Sequence, residues 1–387
     1  MGNTDCNVGY FIECDLEVPC RLHDFLDQLP IGPEMKSPAG SSCSAKVNKL
    51  MLTHEKKTHY TIHHRLLEFY KNLGVRICKV HRAVSFEETP VFKSYVDYNT
   101  AKRASSTSAF HKAYYKLKNN SLYGKCVENI RKRMDLRLVN SPERFEAYTS
   151  KPSFKKSILI DDDLLALLMR KESIKLDRPV FIGQAVLDLS KLRMYQLHYV
   201  ELEKYRRKFN CQLNIVAGDT DSFFLECQSI SLRDRLLPAM IRDGLLDTSN
   251  YQPDDPLYSR LHANEIGLVK DESGGALNYA EWVFLRPKCY SLLCYDDTNQ
   301  KKAKGVQKNV LKRGITYADY LRVYRDPEEV EIVRKQRRIE SRQHQLYTTE
   351  TSKRVMGGGG DDKRFWLPDG NNSLALGHWR IDDDDTE

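Results

Sequence analysis

The sequence contains no apolar run of about eighteen residues, the length a membrane-crossing helix needs. Near Met1 there is no basic stretch followed by an apolar core. Met1–Cys20 mixes acids with apolar residues, so it does not read as an export signal. None of the ten cysteines forms a CxxC pair. With no export signal either, free buried thiols are a better reading than disulfides or zinc ligands. These absences predict a chain that neither spans a membrane nor is exported, and the expected compartment is a reducing one: cytoplasm, nucleus or a viral factory.

What is present is a globular chain. Its 387 residues allow two or three domains with a sizeable core, and 41% of them are hydrophobic, too many for a disordered chain. The formal net charge is +8. Acids gather at Asp161–Asp163 and Asp382–Asp385, so the rest of the chain is more basic than the total suggests. Such an excess suits a phosphate backbone, and equally a solvated lysine-rich surface.

Patterning orders the chain. Gly9–Leu16 alternates as a strand, and Ile31–Val47, rich in Pro, Gly and Ser, reads as a loop. Tyr60–Leu73 is predicted helical from Ile62, Leu66, Phe69 and Leu73, and Val75–Phe86 as one or two strands. A basic helical stretch follows Asn99 and runs into Asn119-Asn120-Ser121, ending at Tyr123-Gly124. Arg131–Phe181 is strand-like. Gln184–Tyr205 is an amphipathic helix with Ala185, Leu189, Leu192, Tyr195, Tyr199 and Leu202 on one side. Two short apolar strands, Leu213–Ala217 and Phe223–Cys227, flank Gly218–Ser222, which predicts a hairpin with acids at its tip. Glu281–Tyr295 is strand-like. Beyond Gly305 the chain reads as helical, with a basic cluster at Arg334, Lys335, Arg337, Arg338 and Arg342, then a flexible Gly357–Gly360 link and a disordered acidic tail.

The hairpin tip carries Asp219 and Asp221 around Thr220. At a tight turn both carboxylates can meet one cation, and their repulsion is relieved by a divalent metal. Mg²⁺ takes oxygen ligands and is often shared with a substrate phosphate, the arrangement used for in-line nucleotidyl transfer with two metals. The plainer alternative is a turn in which Asp caps the backbone.

About ninety residues upstream, counted from Asp219 back to Tyr123, lies KLKNNSLYGK. Lys116 and Asn120 are four apart, hence on one helix face, and Lys118 lies off it. Lys116 can act as a point charge on a triphosphate, Tyr123 offers a flat ring to a base or sugar, and Gly124 permits close approach. Alone, this is also an ordinary surface lysine with a C-cap glycine. Phosphoryl transfer needs both parts, acids for metals and cations for the triphosphate.

With both in place, the residues resemble a known family. Lys116, Asn120, Ser121, Tyr123 and Gly124 resemble motif B of family B DNA polymerases, KxxxNSxYG; Gly218–Ser222 resembles motif C; Lys288-Cys289-Tyr290 resembles the KxY motif. GYFIECDLEVP, HRAVSF, VDYNTAKR, KCVENIRKR, DLSKLRMYQLHY, FLRPKCYSL, KKAKGV and LALGHWRI look like the protein-primed polymerases of Polinton (Maverick) transposons and related viruses. The resemblance implies that Asp221, with Asp219, ligates Mg²⁺. It implies that Lys116, with Arg103, neutralises the incoming deoxynucleoside triphosphate, while Asn120 and Tyr123 shape its pocket. Lys288 and Tyr290 would grip the primer end, and Gly124 would let the DNA approach closely. The implied partners are primer–template DNA, deoxynucleoside triphosphates and a terminal priming protein.

The expected fold is α+β, a partial right-hand polymerase with an incomplete palm of antiparallel sheet, helical fingers, insertions and a helical thumb. The expected divisions are 1–90, a palm strand and first insertion; 91–130, fingers with motif B; 131–183, a second insertion; 184–300, palm with motif C and KxY; 301–381, thumb; and 382–387, the tail. The family's other carboxylate motif, DxxxLYG or DxxSLYP, is not found in these residues. The expectation is a fragment without that motif and without an exonuclease domain, whose two-metal site is incomplete and whose synthesis alone is weak or nil. The alternatives are a non-catalytic DNA-binding protein and a decayed transposon remnant.

Overall fold

The structure, a computed structural model, describes residues 7–38, 48–263, 265–275, 279–295, 297–327, 329–342, 345–357, 363–369 and 372–381. Part of the expected loop (39–47), most of the glycine link (358–360) and the acidic tail (382–387) lie outside the described residues. The chain packs as two compact units. The first comprises 1–8, 87–187 and 337–351; the second comprises 9–86, 188–336 and 352–387.

The second unit begins with β1 (Val8–Glu17), the short helix α1 (His23–Leu26), β2 (Glu34–Lys36), β3 (Lys49–Met51), β4 (Lys57–His63), α2 (His64–Leu73) and β5 (Arg76–Glu87). β4, β1 and β5 form a sheet in that order, with β1 and β4 antiparallel and Phe11 opposite His63. This pairing corrects the helix expected over Tyr60–Leu73, which begins only at His64. The apolar positions fit a helical period, but a partner strand more than forty residues away claims Lys57–His63, and tertiary pairing overrides local pattern. Cys14, Leu16, Leu26, Ile62, Leu66 and Tyr70 form its core with Tyr195 and Tyr199. Leu66 and Ile62, wholly buried, contribute about 1.5–3 kcal/mol apiece.

The first unit holds α3 (Lys93–Ser105) and α4 (Ala109–Cys126), then β6 (Asp135–Val139), α5 (Pro142–Thr149), β7 (Phe154–Asp161) and β8 (Leu164–Met169). The sheet order is β6–β8–β7, with Val139, Leu167 and Met169 buried against Phe145 and Tyr148 of α5. The strand-like reading of Arg131–Phe181 therefore missed α5. Its start signal is local: Ser141 Oγ accepts from Arg144 N at 3.4 Å and Pro142 opens the helix.

A long helical run comprises α6 (Val180–Gln196), a π-helical turn over Leu197–Leu202 and α7 (Glu203–Phe209), extending the predicted helix at both ends. Asn210 closes it at φ 48. Next come β9 (Gln212–Gly218), β10 (Phe223–Gln228), α8 (Leu237–Arg242), β11 (Leu246–Asp247) and β12 (Val269–Lys270). Leu197, Leu202, Tyr205, Leu213 and Leu236 bury the back of the β9–β10 hairpin. β13 (Tyr279–Arg286), β14 (Cys289–Cys294) and β15 (Asn299–Ala303) form an ordered antiparallel sheet. It packs on α9 (Lys308–Gly314) and α10 (Tyr317–Arg325) through Val283, Cys289, Leu311 and Tyr320.

Beyond Arg325 the expected helix gives way to strands: β16 (Ile332–Arg342), β17 (Gln345–Met356), β18 (Arg364–Trp366) and β19 (Ser373–Ala375). The C-terminal region expected as a helical thumb is thus helical only in α9 and α10. The basic cluster lies on β16, where Ile332, Val333 and Ile339 favour a strand. All eight cysteines among the described residues are free; Cys14, Cys126, Cys211 and Cys289 are buried, while Cys20 and Cys78 are exposed. No described helix is long and apolar enough to cross a membrane. The α+β class expected from sequence is the class observed.

Candidate active site

β9 and β10 pair antiparallel with Phe223 opposite Gly218, so residues 219–222 form the tip, as the sequence predicts. Asp219 N donates to Ser222 O at 3.1 Å, and Asp221 N donates back to Asp219 O at 2.7 Å. Closing the chain this tightly puts Thr220 at φ 63, a conformation that a β-branched residue rarely adopts. Asp219 is half-buried and Asp221 is exposed. The outer edge of β9 is covered by Gln28, whose Oε1 accepts from Ile215 N at 3.0 Å and whose Nε2 donates to Asn214 Oδ1 at 3.1 Å.

Of the residues that resemble KxY, Lys288 lies at a second hairpin tip and Tyr290 on the strand that follows it. β13 and β14 pair with Arg286 opposite Cys289, leaving Pro287 and Lys288 as a two-residue turn. Proline pre-sets the first position, and Lys288 takes φ 61 at the second. Three aromatic rings fix this turn against the acidic one. Phe224 of β10 lies 4.9 Å from Phe284 and 5.1 Å from Tyr290, and those two rings are 5.1 Å apart. Lys288 Nζ consequently lies 3.5 Å from Asp219 Oδ2. Burial pushes the Tyr290 phenol above its ordinary pKa, and the Asp219 charge adds to the shift.

The residues that resemble motif B lie in the first unit. α3 and α4 form an antiparallel helix pair, linked by Asn119 Nδ2 donating to Thr100 Oγ1 at 3.3 Å. α4 does not end at Tyr123-Gly124; it continues to Cys126. The glycine was read as a stop signal, but Tyr123 O accepts from Val127 N at 3.3 Å, so the turn is satisfied inside the helix. Lys116, Asn120 and Tyr123 therefore share one face over two turns. Lys116 and Asn120 are exposed, Tyr123 is half-buried, and a Cβ on Gly124 would meet nothing within 4 Å. Arg103 is exposed in the last turn of α3. Lys118 packs over Tyr114, 5.1 Å from the ring centre. The structure thus gathers the sequence-predicted residues in two groups: Asp219, Asp221, Lys288 and Tyr290 in the second unit, and Lys116, Asn120, Tyr123, Gly124 and Arg103 in the first.

Residues 6–201, just over half of the 387, match the family described as DNA polymerase type B, organellar and viral. The chain belongs to this family. The matched segment includes the motif B face and ends before Asp219. A solved structure of phi29 DNA polymerase, complexed with primer-template DNA and incoming nucleotide substrates, is similar over 92% of this chain and 52% of that one, at 15% identity and a TM-score of 0.49. The chain thus spans about half the length of that polymerase. No curated protein matches.

Two supports of the helix face that carries Lys116, Asn120 and Tyr123 escaped the sequence reading. A Cβ on Gly183 of α6 would come within 2.1 Å of Val127 Cγ1 and 3.8 Å of Tyr123 Cε2, so glycine there permits the close approach of α6 to the end of α4. Glu128 binds Arg133 at 2.6 Å, Lys125 at 2.9 Å and Arg178 at 3.2 Å. The Arg133 guanidinium, with Lys125 and Arg178, holds its carboxyl well below the usual carboxylate range. KCVENIRKR gave one signal, an acid among basic residues, but Arg178 is fifty positions away and could not be read from it.

Proposed function

We propose that the chain carries nucleotidyl-transfer chemistry, the template-directed addition of deoxynucleotides to a DNA 3′-hydroxyl. The observation that supports this reading is the meeting of two hairpin tips, with Lys288 Nζ 3.5 Å from Asp219 Oδ2, because a cation able to hold a primer phosphate then stands beside acids able to hold a metal.

Mg²⁺ fits the donor set. Asp219 and Asp221 offer only oxygen, and the Asp221 carboxylate has no protein partner among the described residues. When bound, the metal polarises the phosphate and the attacking hydroxyl. The chain's own groups supply the rest. Asp219 and Asp221 hold the metal, Lys288 leaves Asp219 for a primer phosphate, and Tyr290 supports that lysine from the aromatic cluster. Lys116 and Arg103 offset triphosphate charge, while Asn120 and the Tyr123 ring shape the nucleotide pocket. In this reading α3 and α4 are the fingers, 131–183 is an insertion, 184–300 belongs to the palm, 301–381 is the thumb, and 1–90 supplies a palm strand and first insertion. A terminal protein would provide the first hydroxyl, and the host element would be a transposon or virus.

One carboxylate pair does not fix two metals around both the attacking and leaving oxygens, so these 387 residues by themselves should extend a primer weakly or not at all. The test supplies the other carboxylate: the aspartate-bearing motif of a related type B polymerase is fused ahead of residue 1, and extension is followed on primed DNA in Mg²⁺. Extension that Asp221→Asn abolishes supports the proposal. Extension indifferent to Asp221→Asn overturns it.

A further inference from the structure

Three histidines far apart in sequence pack together in the second unit. His23 and His54 stack with ring centres 4.4 Å apart, and His378 stands edge-on to them at 5.4 and 5.6 Å. The C-terminal segment is stitched to this cluster by its backbone. His54 N donates to Leu376 O at 2.8 Å, Ala375 N to Asp27 Oδ1 at 2.6 Å, and Trp379 N to His23 Nδ1 at 3.0 Å. Gly377, at φ +78, lies so close to the chain at Glu55 that a Cβ would come within 2.9 Å of Glu55 N.

The three imidazoles are not equivalent. His23 uses both ring nitrogens, since its Nδ1 accepts from Trp379 and its Nε2 donates to Val18 O at 3.1 Å. It is a structural bracket. His54 is only 4% exposed, yet neither of its ring nitrogens has a hydrogen-bond partner among the described residues. His378 Nε2 is likewise buried without a hydrogen bond; Asp24 Oδ1, at 3.6 Å, is beyond bonding range. Buried polar atoms are normally satisfied, so two open imidazoles converging on one carboxylate are a deficit that calls for a ligand. Atoms of Asp27, His54 and His378 capable of binding a metal lie within 4.8 Å of one another.

We propose that Asp27, His54 and His378 bind a zinc-class divalent cation, which pins the C-terminal segment to the α1 and His54 loops. Two imidazoles and one carboxylate suit Zn²⁺ or Co²⁺, with water completing a tetrahedron, and do not suit Mg²⁺. Two contacts must adjust. Arg364 Nη2 holds Asp27 Oδ2 at 2.7 Å, so the carboxylate is shared between guanidinium and metal. Arg380 N donates to His378 Nδ1 at 3.1 Å, and ligation through Nε2 moves the ring proton to Nδ1, so that bond is given up. The site is distinct in chemistry from the acidic tip, whose donors are all oxygen.

The experiment is calorimetric titration of Zn²⁺ into the full chain carrying Asp219→Asn and Asp221→Asn, which removes the acidic tip as a competitor. The expected result is one equivalent bound, a higher Tm with Zn²⁺, and intense four-coordinate visible absorption with Co²⁺. His54→Gln and His378→Gln should each abolish the binding while far-ultraviolet circular dichroism is unchanged. If either variant does not fold, imidazole ¹⁵N spectra of the chain with its histidines intact decide the matter: Zn²⁺ should shift the signals of His54 and His378 and leave His23 in place. A folded chain that binds no Zn²⁺, binding unaltered by both glutamine variants, or unmoved His54 and His378 signals would each overturn the proposal.

Discussion

Lys288 Nζ stands 3.5 Å from Asp219 Oδ2, a contact made by two residues that each sit on a hairpin tip and are joined by nothing local in sequence. Both side chains are about half exposed, at 55% and 41%, so the pair has little worth as a stabilising salt bridge. Its consequence is electrostatic and local. The lysine competes with any cation for Asp219, and it is itself available to an anion once a metal takes that carboxylate.

Replacing Lys288 with Met is therefore expected to strengthen metal binding at the tip and weaken primer–template binding. An exposed ion pair changes affinities by roughly two- to fivefold. Mn²⁺ titration followed by electron paramagnetic resonance should show the tighter metal, and anisotropy of a labelled primer–template the weaker DNA. Movement of both affinities in the same direction would refute the opposed roles.

Thr220 at φ 63 stores strain in the same turn. A β-branched residue there costs about 1–2 kcal/mol, and glycine removes that cost while losing roughly 0.4–1 kcal/mol through the entropy of the unfolded chain. Thr220→Gly should then raise stability by about 1 kcal/mol or less in urea denaturation, and should weaken Mn²⁺ binding because the two carboxylates are no longer held. A destabilised Thr220→Gly would show that the turn is not strained.

At Gly183 two effects oppose each other. Alanine improves helix propensity by about 1 kcal/mol, but overpacking costs about 1–3 kcal/mol, and the 2.1 Å approach to Val127 Cγ1 makes the second the larger. Gly183→Ala should destabilise the native chain. In a Val127→Ala background the obstacle is gone, so the same change should stabilise by about 0.5–1 kcal/mol. Thermal unfolding of the four proteins in this cycle reads the change of sign, and equal effects in both backgrounds would remove Val127 as the cause.

His198 sets a pH dependence in the second unit. It is buried, and burial, aided by the Arg206 charge, lowers its pKa from 6.5 to about 4. Between those values the unfolded chain binds a proton that the folded chain refuses, so stability falls as pH drops from about 6.5 towards 4 and is fully present above 6.5. His198→Gln should flatten that part of the stability profile, measured by urea denaturation in chelator. A profile as steep as before would assign the dependence to other groups.

The sequence by itself determined the elements whose causes are local. Alternation and turn chemistry placed β1 and the β9–β10 hairpin with Asp219 and Asp221 at its tip. Helical spacing put Lys116 and Asn120 on one face, and the long amphipathic run became α6 to α7. Only tertiary structure decided the rest. Lys57–His63 became a strand because β1 was there to pair with it. α4 ran on past Gly124, and the basic cluster around Arg334 extended as β16. Lys288 reached Asp219 because Phe224, Phe284 and Tyr290 share one cluster, and His54 came to face His378 because Gly377 lets two distant segments touch. Local pattern can fix a period or a turn, but the partner that completes a sheet, a charge pair or a ligand set comes from elsewhere in the chain, and no period encodes its arrival.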